Sequence, residues 1–333
     1  MNKPRTHRRR TNENKERYIA IAVIAAIFVL GMIVGIGGKS LISKLSQMGE
    51  DRIKGTLVTS EEERLDGIKR SFENGETVLE TLRNYYSDDL VMRKDSAYCF
   101  VPRDESLKAH TFDSTKVRKN SDGTWGYVDG DLEVVKGIDV SAHQGEIDWA
   151  KVAKGNVDFA MIRAVYRGYE SGKLLEDEQF RTNIEEAHAK GIKVGAYIFT
   201  QAINKQEVDE EISKLNGLLG TYELDYPVAI DVEDLTGTTE RLESLSKDEC
   251  TELIRYYCDK VAESGYTPML YLNIDSALNM IDLSKFEDVK KWFAVYDSDF
   301  YYPYAYQMWQ YKETGKVDGI EGSVDLNLYF PGL

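Results

Sequence analysis

Cysteine is scarce: the 333-residue chain has three, Cys99, Cys250 and Cys258. Cys250 and Cys258 read as members of one helix, about 12 Å apart at 1.5 Å per residue. That is too far for a disulfide without distortion. All three read as small buried residues, so the fold does not depend on disulfides. CxxC and Cys/His zinc spacings are absent. Histidine is nearly as rare, with four residues, and none ends an apolar run where it would favour a transition metal. No G-x-G-x-x-G follows the first strand, which argues against a dinucleotide fold. No nucleophile elbow appears, so Ser–His–Asp and Cys–His catalysis have no support.

Positive charge is missing from the body of the chain. Residues 1–38 hold seven Lys/Arg and two Asp/Glu, which leaves 35 bases against 55 acids beyond them. Such an acidic body repels phosphates and excludes nucleic acid as a partner. Nor does it suit electrostatic adhesion to an anionic wall.

The basic stretch MNKPRTHRRRTNENKER (1–17) precedes YIAIAVIAAIFVLGMIVGIGG (18–38), 21 residues without a charge. At 1.5 Å per residue this run reaches about 31 Å, enough to cross a hydrocarbon core. The basic flank predicts a single-pass, N-in/C-out anchor with residues 39–333 outside the cell membrane. A cleaved signal peptide is the competing reading. Its apolar region is normally shorter, about 7–15 residues, and KSLISKLSQ lacks an A-x-A site. Gly31 and Gly35 form a GxxxG that can pair two such helices.

Residues 39–130 read as an extracytoplasmic stalk, mainly helical, with a small β element. Ile53, Leu57, Leu65, Ile68, Phe72, Leu79 and Leu82 recur at roughly helical spacing. SAYCFVPRD and NSDGTWGYVDGD carry short strands and turn signals. From residue 131 the pattern is regular. VKGIDVS, DFAMIRA, KVGAYIFT, PVAIDVE, PMLYLN, WFAVY, YQMWQY and SVDLNLY are apolar runs of the kind buried on both faces. Helical stretches at 176–191 and 246–265, each ending in Gly, separate earlier runs. Alternation predicts α/β architecture with parallel strands and right-handed crossovers. Eight strands suggest a closed barrel, and the short late connections make it an irregular, flattened β/α (TIM-like) one.

Acids recur at the strand ends, where such barrels place their chemistry. Asp139 ends the first strand, Asp231 and Glu233 end the fourth, and Asp325 lies in the last. First and last strands are neighbours in a closed barrel, so Asp139 and Asp325 flank each other and face the DVE strand. Two apart on a strand, Asp231 and Glu233 share a face, with Cβ atoms about 6.5–7 Å apart. Asp234 falls off that face and reads as a loop residue. A divalent metal could also use this many carboxylates. Glycoside hydrolysis fits them as well, with one acid protonating the leaving oxygen and another stabilising or attacking the oxocarbenium. Crowding should raise the pKa of at least one acid. Glu233, with the longer reach, is the better general-acid candidate. Tyr166, Tyr197, Tyr271, Tyr296 and Trp309 fall near strand ends and suit sugar faces, or else pack the core. His143 either lines the mouth or shapes a turn.

KGIDVSAHQGEIDW, FAMIRAVYRG, DEQFRTNIEEAHAKGIKVGAYIF, PVAIDVE, WFAVY, MWQY and GSVDLNLYF resemble, in order, the glycoside hydrolase family 25 lysozymes. These are N-acetylmuramidases of the Chalaropsis or endolysin type. The resemblance covers about 136–330. It implies a flattened β/α barrel with few helices, no metal and no cofactor. It also implies hydrolysis of the β-1,4 bond between N-acetylmuramic acid and N-acetylglucosamine in peptidoglycan glycan strands. Glu233 resembles the catalytic acid/base and Asp231 its partner, with Asp139 and Asp325 the other two acids of the groove. Two departures stand out. Ile198 occupies the His position of the commoner GAYHF, and AVYRGYESG replaces A-T-E-G, so glycan recognition is expected to differ. The resemblance and the anchor together predict a membrane-tethered muramidase at a Gram-positive surface. A non-catalytic wall-binding scaffold and a glycosidase of another N-acetylhexosamine polymer, such as chitin, are the alternatives.

Overall fold

The computed structural model describes residues 61–94, 96–111, 113, 116–121, 123–127, 134–233, 241–296 and 302–332. The expected membrane span 18–38, its GxxxG, Ile53, Leu57 and Asp234 lie outside these residues. Among the described residues, no helix is long and apolar enough to cross a membrane.

The chain divides into two compact units, Met1–Thr81 and Leu82–Leu333. In the first, α1 (Glu61–Glu73) leaves Leu65 and Phe72 exposed. Next, α2 (Val78–Tyr85) begins with a reciprocal cap. Thr77 N donates to Glu80 Oε2 at 2.6 Å, and Glu80 N donates to Thr77 Oγ1 at 3.2 Å. This satisfies two N–H groups that the first turn would leave orphaned.

The second unit opens with two antiparallel pairs, β1 (Asp89–Lys94) with β2 (Ala97–Pro102), and β3 (Val117–Lys119) with β4 (Trp125–Tyr127). The large sheet follows. Its strands are β5 (Val135–Val140), β6 (Phe159–Arg167), β7 (Leu174–Glu176), β8 (Lys193–Phe199) and β9 (Val228–Asp231). They continue with β10 (Pro268–Asn273), β11 (Lys290–Ala294), β12 (Met308–Gly315) and β13 (Val324–Tyr329). The order β5-β13-β12-β11-β10-β9-β8-β6 closes through β6 to β5, and β7 pairs outside it on β6. The eight apolar runs are therefore the eight strands of a closed barrel.

One strand departs from expectation. Instead of joining a fully parallel barrel, β13 runs antiparallel to both β12 and β5. The physical reason is connection length. A parallel crossover needs a dozen or more residues, and only 316–323 separate β12 from β13. The chain can only turn back.

Side-chain period two sorts each strand. Phe159, Met161, Tyr197, Met269, Tyr271, Trp292 and Met308 fill the interior. Their neighbours Ala160, Ile162, Ile198, Leu270, Phe293 and Trp309 point out into a second apolar layer. Gly137 is required here, because a Cβ would stand 2.3 Å from the Phe159 ring.

Three main helices cover that outer layer: α4 (Phe180–Ala189), α5 (Lys205–Leu219) and α6 (Lys247–Glu263), after a single turn, α3 (Trp149–Val152). Helix α4 packs on β6 and β8, α5 on β6, and α6 on β9 and β10. Caps set their starts. Asn204 Oδ1 accepts from Glu207 N at 3.0 Å, and Ser246 forms a capping box with Glu249. Cys250 and Cys258 are buried on α6 as free thiols, while Cys99 is half-buried on β2. Among the described residues, strands β11 to β13 have no helical cover of this kind. Described residues between 104 and 127 supply it, with Trp125 5.8 Å from Trp309 and Tyr127 6.4 Å from Phe330. Ala109 bridges Tyr304, and the Tyr304 hydroxyl accepts from Asp104 N at 2.6 Å. The described residues of 104–127 thus belong to the same compact unit as the barrel.

Candidate active site

A cavity of about 460 Å³ opens at one end of the barrel. Asp139, Asp231, Glu233 and Asp325 all line it. Asp231 ends β9, Val232 turns into the outer apolar layer, and Glu233 returns to the cavity. Asp139 is the penultimate residue of β5 and Asp325 the second of β13, and the two are direct cross-strand partners. Because β13 is antiparallel, Asp325 reaches the mouth from the start of its strand.

Asp139 is held by buried amides. Gln310 Nε2 and Asn327 Nδ2 each donate to its Oδ2 at 2.8 Å. Gln310 is itself oriented, since its Oε1 accepts the hydroxyls of Tyr271 at 2.8 Å and Tyr296 at 2.6 Å. Trp292 Nε1 fixes Asn327 by donating to its Oδ1 at 2.8 Å. Burial and neighbouring acids hold the Tyr271 and Tyr296 phenols above their usual range, so both keep the proton they donate.

The crowding expected among the acids is felt by this pair. Burial raises Asp139, opposed by hydrogen bonds from Asn327, Gln310 and Asp325. Burial, then the Asp139 charge, push Asp325 up to about 9. Two carboxyls sharing a site cannot both ionise at neutral pH. With two amide N–H groups on Asp139, the proton rests on Asp325, which donates to its partner.

The aromatic expectations divide. Tyr166, Tyr197 and Tyr271 line the cavity, as does exposed His143, which follows the capping Ser141 in the turn Ala142–Gln144. Tyr296 acts through Gln310. Trp309 is a correction: it lies in the outer layer, 1% exposed, and its Nε1 donates to Val295 O at 2.9 Å. Period two decides this, because Met308 and Gln310 take the inward positions on β12. Ile198 is likewise outside, fully buried in the outer layer, so the departure at that position does not touch the cavity wall.

AVYRGYESG does touch it. It ends β6 and turns into β7, and Tyr166, Gly168 and Tyr169 line the cavity. A buried ion pair anchors this hairpin. Arg167 Nε donates to Glu211 Oε1 at 2.5 Å, Arg167 to Gly172 O at 2.9 Å, and Tyr257 to Glu211 Oε2 at 2.7 Å. The sequence reading missed Gln310, Asn327, Trp292, Arg163 and this anchor. Only the motifs MWQY and VDLN carried a trace of the first two.

A family model described as glycosyl hydrolases family 25 matches residues 138–320. An autolytic lysozyme of Clostridium acetobutylicum is 27% identical over 201 residues, 60% of this chain and 57% of that protein. The uncharacterised YegX of Escherichia coli is 29% identical over 210 residues, 59% of this chain and 69% of its own. The chain thus spans well under two thirds of the autolytic lysozyme. Among solved structures, a family 25 glycosyl hydrolase from Bacillus anthracis aligns with TM-score 0.50 and 23% identity, over 61% of this chain and 91% of that one. The modular autolysin LytC of Streptococcus pneumoniae aligns with TM-score 0.52 and 24% identity, over 73% and 58%. These two likenesses concern the fold.

Proposed function

The chain belongs to glycosyl hydrolases family 25, and on that premise we propose that it is a membrane-anchored peptidoglycan muramidase. It hydrolyses the β-1,4 bond between N-acetylmuramic acid and N-acetylglucosamine for wall remodelling or local lysis. The observation that carries this reading is the convergence of Asp139, Asp231, Glu233 and Asp325 on one cavity lined with tyrosines. Glu233, on the strand-end face it shares with Asp231, protonates the leaving oxygen and later activates water. Asp231 stabilises the developing positive charge or orients the 2-acetamido group. Ionised Asp139, held by Gln310 and Asn327, adds negative charge beside the oxocarbenium without becoming mobile. Protonated Asp325 keeps that corner from carrying two adjacent charges. The apolar span 18–38 tethers the enzyme N-in/C-out, with the barrel on the wall side of the membrane.

The test is digestion of purified peptidoglycan by the full chain in detergent. New reducing ends at muramic acid, abolished in Glu233→Gln, support the reading. Intact strands with retained binding favour a wall-binding scaffold, and release of chitin oligomers alone favours the other glycosidase. Protease added to intact protoplasts should remove the barrel, and full protection overturns the orientation.

A further inference from the structure

Arg163 is the one Lys or Arg among the described residues lining a cavity that carries four carboxyls. It lies on β6, inside the mouth, with its side chain 14% exposed. Its Nε donates to Asp177 Oδ2 at 2.8 Å, and that carboxylate is fully buried. Asp177 is fixed in turn. Its Oδ2 accepts from Ala142 N at 3.0 Å and its Oδ1 from Gln179 N at 3.0 Å. The guanidinium carbon sits 4.8 Å from the Tyr166 ring centroid. One edge of the fork and one face are therefore occupied and rigid. The two terminal nitrogens make no hydrogen bond to any described residue. They remain as donors at the cavity wall.

A fixed guanidinium with two open donors is a carboxylate receptor, because its fork matches two carboxylate oxygens. The surroundings make that role necessary. A mouth lined by acids repels an anionic substituent unless a cation receives it. We propose that Arg163, braced by Asp177 and Tyr166, binds a carboxylate carried by the glycan strand and so selects strands bearing one. This rests on the muramidase reading and adds a specificity to it. The carboxylate has two sources, the lactyl ether of a bare muramic acid or an acid group of an attached peptide stem.

The test measures binding of soluble glycan fragments to the full chain in detergent, carrying Glu233→Gln so that turnover is not needed. Stem-free fragments with a free lactyl carboxylate are compared with the same fragments coupled to methylamine. The acid is expected to bind at least about tenfold tighter than its amide, the order of one charge-assisted contact. Adding Arg163→Met brings the ratio close to one. Because that change leaves Asp177 buried without its cation, Arg163→Lys is measured beside it. Its single ammonium is taken by Asp177 and lacks the fork, so the preference falls while the fold is kept. Stem-bearing fragments, whose lactyl carboxyl is already an amide, locate the source by whether Arg163-dependent tightening survives on them. Equal binding of acid and amide together with no Arg163-dependent tightening on stem-bearing fragments, no binding of any fragment, or a preference unchanged in both Arg163 variants overturns the proposal. Failure of the muramidase reading is read separately, as absent cleavage by the unsubstituted chain.

Discussion

Asp139 and Asp325 stand opposite each other on antiparallel strands, one near the end of β5 and one near the start of β13. Two amides hold the first as an acceptor, so the second carries the proton.

This pairing sets a pH dependence. Asp325 is raised to about 9 in the folded chain, against about 3.9 for an unperturbed Asp. Between those values the folded state holds a proton that the unfolded state has released. Its contribution is complete below the unfolded pKa and is lost as pH rises towards 9. Asp325→Asn should flatten that fall. Thermal melts of both proteins from pH 5 to 9 check it, and parallel curves would contradict the assignment.

Gln310→Leu removes one donor to Asp139 and the acceptor for two phenols. Each buried group left unpaired costs about 1–3 kcal/mol. We expect a lower denaturation midpoint, and a fall in kcat on peptidoglycan larger than any rise in KM. Unchanged kcat would separate the amide network from the reaction.

Trp309→Phe tests the outward placement. Removing part of a fully buried indole and its bond to Val295 should cost about 1–3 kcal/mol and leave KM unaltered. Tyr166→Ala, at the cavity wall, should do the reverse and raise KM several-fold with a smaller loss of stability. Interchanged outcomes would return Trp309 to the groove.

Glu211→Leu breaks the buried pair with Arg167, whose remaining carboxylate partner is the half-exposed Glu210 at 3.2 Å, and strips the Tyr257 hydroxyl of its acceptor. The expected loss is about 3–5 kcal/mol, read by urea denaturation. Limited proteolysis should then cut first in the hairpin after β6, because Arg167 no longer holds Gly172. A variant as stable as the parent would show that the pair does not anchor that hairpin.

The barrel was legible because strands buried on both faces read as continuous apolar runs, and eight were visible. The shared face of Asp231 and Glu233 was legible because strand geometry repeats every two residues. The same alternation misled for Trp309 only because the sequence does not say which parity faces inward. The direction of β13 was masked by the strand–helix alternation of the earlier runs, which pointed to a fully parallel barrel, although 316–323 are too few residues for a parallel crossover. The role of 104–127 was hidden because nothing local shows that β11 to β13 lack helical cover.

By itself, the sequence determined the strands, the four carboxyls at their ends and an apolar span long enough for a membrane, since each rests on local spacing. Only the tertiary structure decided which carboxyl keeps a proton, which aromatics meet the cavity and where the lone guanidinium points. Those depend on burial and on partners far apart in the chain: Gln310 and Asn327 lie 171 and 188 residues from Asp139. No local pattern encodes the dielectric or the neighbours found there.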